Sequence, residues 1–182
     1  MHRAAVLGLL RAHGGRPLEA DEALAVRHSI EFVESHPDCL LRSCGPGHVT
    51  GSAWIVSPDR RLTLLTLHRK IGKWLQLGGH ADGDPDLLAV ALREAREESG
   101  LQRLTAVDSR VFDVDRHWIP PHAGAPGHWH FDLRFMLEAD PSEPLTATDE
   151  SSALSWVDVA AARSLNPEES LARMVRKTLA LG

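Results

Sequence analysis

Only two cysteines occur in the 182 residues, Cys39 and Cys44, which is too few for a disulfide framework. The four residues between them do not match a zinc-knuckle spacing, so both are expected as reduced, buried thiols. No apolar run approaches the length of a membrane span. The opening MHRAAVLGLLRAHGG is interrupted by Arg11 and His13, and no small-residue cleavage pattern follows it. A cytoplasmic protein with no membrane partner is therefore the expectation. Basic residues are also in the minority, 20 against 25 acidic ones, for a formal net charge of -5. That composition lacks the basic footprint by which counterion release holds a nucleic-acid backbone. No nucleic-acid partner is expected, and an anionic substrate needs local help from arginines, dipoles or a metal ion. Internal repeats and low-complexity tracts are missing as well.

What is present suits one domain with terminal additions, since 43% of the residues are hydrophobic and the chain is long enough to bury a core. Residues 3–13 and about 19–34 read as helices, with Gly14 and Gly15 ending the first and Ala20, Leu24, Ile30 and Val33 spaced along the second. From 48 the period changes. HVTGSAWIVS and RLTLLTLHR are β-branched and apolar runs joined by a PDR turn, and KWLQL leads into Gly78-Gly79. Residues 86–99 read as the clearest helix, with a stripe of Leu88, Leu92 and Ala95, Asp84 as N-cap, Pro85 in the first turn and Gly100 as the stop. Strand-like segments follow near 104–114, 128–138 and 154–157, and Asn166-Pro167-Glu168-Glu169 announces a last helix. Strands and helices interleave without regular βαβ alternation, which predicts a mixed sheet packed between helices.

In the central helix Glu94, Glu97 and Glu98 fall within about 100° of arc, opposite the stripe just named. Like charges at i,i+4 cost an isolated helix about 0.2–0.5 kcal/mol, and Arg93 one turn before Glu97 offsets only part of this. A solvated face would explain the charges as solubility. The alternative is that hard oxygen ligands are gathered for a hard divalent cation, Mg²⁺ or Mn²⁺, which brings substrate phosphates with it.

The surrounding residues, GGHADGDPDLLAVALREAREESGL at 78–101, resemble the Nudix hydrolase family. The family pattern is Gly, five residues, Glu, seven residues, then Arg-Glu-aliphatic-x-Glu-Glu-x-Gly-aliphatic. Here Gly79, Arg93, Glu94, Ala95, Glu97, Glu98, Gly100 and Leu101 supply it with the spacing from Gly79 to Arg93 intact. Pro85 stands where the family has its first glutamate, and Leu77 where many relatives have proline. The resemblance implies an α/β fold, a Nudix-type α/β/α sandwich with a mixed β-sheet and extra N-terminal helices. Residues 1–45 would be a helical extension packed on the domain, or a contributor to a homodimer, and 46–182 the hydrolase domain. It further implies that Glu97 and Glu98 ligate Mg²⁺ or Mn²⁺ and that Glu94 is a ligand or assists the attacking water. A backbone carbonyl at Gly78 or Gly79 would complete the shell, and Arg93 would pair with Asp84 or Asp86 in place of the missing glutamate. The expected reaction is hydrolysis of a phosphoanhydride in a nucleoside diphosphate derivative or related organic pyrophosphate by metal-activated water. An isopentenyl diphosphate isomerase-like enzyme, which needs a catalytic cysteine, and an inactive nucleotide-binding sensor are the alternatives.

A second constellation is HWHFDLRF, 128–135. In a strand His128, His130, Asp132 and Arg134 share one face, with Trp129, Phe131, Leu133 and Phe135 on the other. The polar row is a candidate substrate-binding surface in which Arg134 grips a phosphate and a histidine binds phosphate or moves a proton. His117, His122, His128 and His130 also invite a zinc reading, but no four-ligand set can be assembled from them. The loop 119–127 is long enough for a lid, and Glu150 is a candidate further base or ligand.

Overall fold

The computed structural model describes residues 2–121, 126–148 and 151–181. His122, Glu150 and the middle of the expected lid, 122–125, lie outside the described residues. The elements in chain order are α1 His2–Gly14, α2 Ala20–Ser35, β1 Gly47–Val56, β2 Leu62–His68, β3 Trp74–Leu75, β4 Leu77–His80, α3 Leu87–Ser99, β5 Thr105–Ala106, β6 Asp113–Ile119, β7 His128–Glu138, β8 Ser151–Asp158, α4 Val159–Leu165 and α5 Glu169–Leu179. Among the described residues the strands pair in the order β3-β2-β1-β7-β5, with β4 on β1, β6 on β7 and β8 on β2. Five of these pairings are antiparallel. Alongside β1 and β7 the Trp129 N–H bonds Pro46 O and the Ala139 N–H bonds Val56 O, so these two strands advance in the same direction and the sheet is mixed. No helix of the described residues is long and apolar enough to cross a membrane.

β1 and β2, read from β-branched and apolar runs, and β7, read from its polar and apolar faces, lie where the pattern predicts them, whereas three local expectations change. Helix α3 starts at Leu87 and is capped by Asp86, whose Oδ1 accepts the Ala89 N–H at 3.1 Å; Asp84 instead accepts the Asp86 N–H at 2.9 Å. Pro85 therefore belongs to the turn ahead of the helix. The extended segment expected at 104–114 is a two-residue β5 followed by a loop, and the longer strand begins only at Asp113. Helix α4 has no counterpart in the sequence reading. Asp158 ends β8 and caps α4, accepting the N–H groups of Ala160 and Ala161 at 2.8 and 3.3 Å.

Contacts divide the chain into two compact units, each built from three segments. The first comprises residues 1–51, 79–90 and 109–135. In it Arg3 on α1 donates to the carbonyls of Val33 and Glu34 at the end of α2, where a cation answers both the open carbonyls and the helix dipole. Val6, Leu10, Val26 and Val33 are buried, and Phe32 stacks on Phe131 of β7 with ring centroids 4.1 Å apart. A buried polar joint ties the helices to β6. His13 Nδ1 donates to Val111 O, its Nε2 meets Glu22 Oε1 at 2.6 Å, and that same oxygen accepts the Val114 N–H.

The second unit comprises residues 52–78, 91–108 and 136–182. Strand β2 is its spine, paired with β1 through Ile55↔Leu64 and with β8 from Leu62↔Asp158 to His68↔Ser151, with an irregularity between Leu67 and His68. Trp54 is fully buried and its indole N–H donates to Thr178 Oγ1 at 2.8 Å, while the Thr178 hydroxyl donates in turn to Met174 O. Each polar atom is satisfied inside an apolar core made by Ile55, Leu64, Leu65, Leu171 and Val175. Replacing Thr178 by valine keeps the shape and strands the indole N–H, so Thr178→Val is expected to lower stability by about 1–3 kcal/mol in urea titration; an unchanged midpoint would contradict that accounting.

Candidate functional site

Six consecutive apolar residues, Leu87 to Leu92, offer helix α3 more than one core face. The face it buries carries Leu87, Val90, Ala91 and Ala95, while Leu88 and Leu92 are only half-buried. That rotation changes where the carboxylates point. Glu94 follows Leu87 by seven residues and Glu98 follows Ala91 by seven, which returns each to within about 20° of the buried residue. Glu94 and Glu98 thus belong to the inner face, contrary to the expectation that all three glutamates face away from the core. The Glu94 side chain keeps 18% of its exposure and meets Arg93 Nη2 at 2.8 Å. Glu98 is half-buried and accepts the Gly78 N–H of β4 at 3.2 Å, whereas Glu97 is exposed. Asp84 and Asp86, the expected partners of Arg93, engage their side chains in the entry turn of α3.

Gly78 owes its identity to backbone geometry. Its φ is 154°, and a Cβ there would lie 2.6 Å from Ser52 Cα and 2.7 Å from Ser52 Cβ. Only glycine lets β4 run this close to β1 and present its amide to Glu98. The residue just before the motif glycine Gly79 and a glutamate of the motif are thereby joined by a hydrogen bond spanning twenty residues. Three carboxylates on one and a half turns make a hard oxygen donor set of the kind that suits Mg²⁺ or Mn²⁺.

The row on β7 has a different environment from the one its sequence suggests. Strand β6 pairs with it in the register Asp113↔Arg134, Asp115↔Asp132 and His117↔His130. Two polar rows therefore lie side by side on one face, and His48 and Thr50 of β1 add a third. Arg134 is 2% exposed and is held by Asp132 Oδ2 at 2.8 Å and by Asp113 and Asp115 at 3.2 Å each. Thr50 Oγ1 donates to the remaining Asp132 oxygen at 2.8 Å. Burial alone would ease the proton off the guanidinium, yet Asp115, Asp132 and Asp113 together hold its pKa above the ordinary arginine value. The group expected to grip a phosphate is instead the centre of a buried carboxylate cage.

The histidines of the row gather with two that the sequence reading missed. His48 is 3% exposed at the start of β1, and its ring centroid lies 4.7 Å from His130 and 4.8 Å from both His80 and His128. His117 stands edge-on to His130 at 5.3 Å and contacts Asp115 Oδ2 at 3.2 Å. Burial first, and then the surrounding imidazoles, lower the His130 pKa to about 2; burial, His80 and His128 lower that of His48 to about 4. Both rings are neutral at physiological pH and offer no positive charge to a phosphate. The alternation of His48 and Thr50 in GHVTGS, with the same two-residue period as 128–134, is the only sequence signal for the extra row. Its pairing depends on register, which local sequence does not encode. Cys39 and Cys44 are buried, and burial pushes both thiols up, Cys44 to about 11 with help from Asp38, so neither is an activated nucleophile.

Comparison with known proteins fits this arrangement. A family model described as the NUDIX domain matches residues 46–178, and the chain belongs to that family. It is accordingly a Nudix pyrophosphohydrolase. Among solved structures, a C. elegans Ap4A hydrolase binary complex aligns with TM-score 0.59 at 16% identity, over 73% of this chain and 96% of that one. The E. coli dihydroneopterin triphosphate pyrophosphohydrolase gives 0.58 at 18% identity, over 74% and 96%. The NUDIX domain of Shewanella oneidensis NrtR, complexed with ADP ribose, gives 0.51 at 14% identity, over 73% and 86%. At such identities the likeness is one of fold. No curated protein matches the chain.

The carboxylate cage makes a direct demand on stability. Removing the cation from three buried or part-buried aspartates in Arg134→Met is expected to cost about 3–5 kcal/mol, read as a fall in the denaturation midpoint. A loss below 1 kcal/mol would mean that the cage is not what holds β6 to β7.

Proposed function

We propose that the chain hydrolyses a phosphoanhydride bond in a nucleoside diphosphate derivative or a related organic pyrophosphate, with Mg²⁺ or Mn²⁺ held by Glu97 and Glu98 and with Glu94 assisting the attacking water. The observation that supports this most is the hydrogen bond from the Gly78 amide to Glu98, because it unites the glycine turn and the glutamate helix of the motif despite Pro85. A backbone carbonyl at Gly78 or Gly79 is the remaining donor that the motif implies. The bound cation would neutralise phosphate oxygens and lower the pKa of a water. Arg93 acts as a positioning residue, fixing the Glu94 carboxylate through their 2.8 Å contact. Glu94, with little exposure and a lone pair beyond that contact, receives the proton as the water oxygen bonds to phosphorus and the bridging P–O bond breaks. A nucleotide sugar or dinucleotide is preferred over a nucleoside triphosphate.

The isomerase reading requires an activated thiol, and burial holds both cysteines in the protonated state. Incubation with Mg²⁺ and a panel of nucleotide diphosphates, followed by release of nucleoside monophosphate or phosphate, tests the hydrolase. Glu97→Gln and Glu98→Gln are expected to lower kcat/KM by about 100-fold or more, the scale on which ligating and proton-transferring groups act. Tight nucleotide binding without turnover across the panel would favour a sensor instead.

A further inference from the structure

The five imidazoles of His48, His80, His117, His128 and His130, gathered in the first unit, have no part in the hydrolase reading. His48, His128 and His130 each have a ring nitrogen within 4.8 Å of the others'. Buried polar atoms are almost always hydrogen-bonded, yet neither ring nitrogen of His48 has a partner. His48 is 3% exposed, so water does not serve it from bulk. Leaving such a group unsatisfied carries its full desolvation penalty, and an apolar residue would fill the same space without it.

His128 gives a second and independent indication. Its Nδ1 lies 3.0 Å from the Pro126 carbonyl, which can only accept, so Nδ1 carries the hydrogen. In the neutral ring that leaves Nε2 as the lone-pair nitrogen, and it faces the Nε2 of His130 at 3.3 Å. A backbone carbonyl fixing the tautomer of a histidine while the other nitrogen turns toward a shared centre is the usual outer-shell arrangement of a metal-binding imidazole. Imidazole lone pairs gathered in this way suit a borderline cation.

We propose that His48, His128 and His130 form a binding site for a borderline divalent transition metal, Zn²⁺ being the preferred ion, separate in chemistry from the carboxylate set of α3. Imidazole suits zinc, while Mg²⁺ selects oxygen ligands, so the two sets sort two different ions. Donor nitrogens of a tetrahedral zinc site lie about 3.3 Å apart, given Zn–N distances near 2.0–2.1 Å. The 4.8 Å span therefore closes with ring rotations of about 1 Å. Three protein nitrogens leave a fourth position, and the His80 ring, 4.8 Å from His48 and 5.2 Å from His130, borders it. The ion would staple the start of β1 to the start of β7.

The test uses the full chain, stripped with a chelator and then dialysed against ZnCl₂ in excess Mg²⁺, which loads the oxygen ligands. Binding of one Zn²⁺ per chain is the expected result, with a visible d–d band when Co²⁺ replaces it. Affinity is expected to fall by about 100-fold or more in His130→Gln and in His128→Gln, more than outer-shell changes usually cause. His48→Asn removes a buried ring and risks misfolding, so His128→Gln, at a half-buried position, carries the test, with far-ultraviolet circular dichroism as the folding control. Unchanged affinity in a folded His128→Gln and His130→Gln pair would overturn the site. So would no uptake by the wild type, or uptake lost in Glu97→Gln but kept in the histidine variants. None of these outcomes depends on turnover, so failure of the hydrolase reading remains a separate result.

Discussion

A guanidinium cannot be buried alone. Arg134 is almost wholly shielded from water, and the first unit is arranged so that three carboxylates reach it. This fixes the register of β6 on β7. A slip of one residue would turn Asp113 and Asp115 to the opposite face and leave the cation without them. It would also carry His117 away from His130, so the imidazole cluster inherits its geometry from the ion cage two residues along the same strands. The Thr50 hydroxyl extends the constraint to β1 and satisfies the oxygen of Asp132 that Arg134 leaves open. Hydrophobic burial supplies the bulk of the driving force for folding, but it is indifferent to a one-residue offset among β-branched neighbours. The charge cage is not.

The parts of the fold that were legible in the sequence are those where one local period dominates. β1 and β2 announce themselves by β-branched and apolar runs, β7 by alternation, and α3 by its apolar run and closing glycine. The same run of six apolar residues concealed which stripe turns inward, because Leu88 and Leu92 compete with Leu87 and Ala91 and only tertiary packing chooses. Glu94 and Glu98 changed sides with that choice. The short α4 gave no period to read, and its start is set by a single aspartate cap. Within the candidate site, Glu94, Glu97, Glu98, Arg93 and Gly79 were recognisable as a spaced motif. His48 and His80 were not, since each is isolated in sequence and acquires neighbours only through strand pairing. Arg134 reads as a phosphate grip in the sequence because, apart from Asp132 beside it, its carboxylate partners Asp113 and Asp115 lie about twenty residues away on β6, which begins only at Asp113.

Two donor sets of opposite character thus coexist in the chain. The glutamates of α3 offer carboxylate oxygens on a helix, partly exposed, with Glu94 met by Arg93 and Glu98 by the Gly78 amide. The histidines offer nitrogen donors on strands, and burial and the neighbouring imidazoles keep His48 and His130 neutral. Ion selectivity follows from ligand hardness and geometry more than from raw affinity, so both sets can be loaded in the same solution without exchange.

The segmental make-up of the two units bears on how the chain emerges from a ribosome. Trp54 finds its hydrogen-bond partner 124 residues later, and His13 finds Val111 98 residues later. At about 5–20 residues per second, roughly 6–25 s separate the synthesis of Trp54 from that of Thr178. During that interval the apolar runs of β1 and β2 lack the strands and helices that cover them. Strand β2, complete at His68, therefore waits for β8, which begins only at Ser151, and in that interval the nascent chain carries an unpaired sheet edge of the kind that makes aggregation compete with folding.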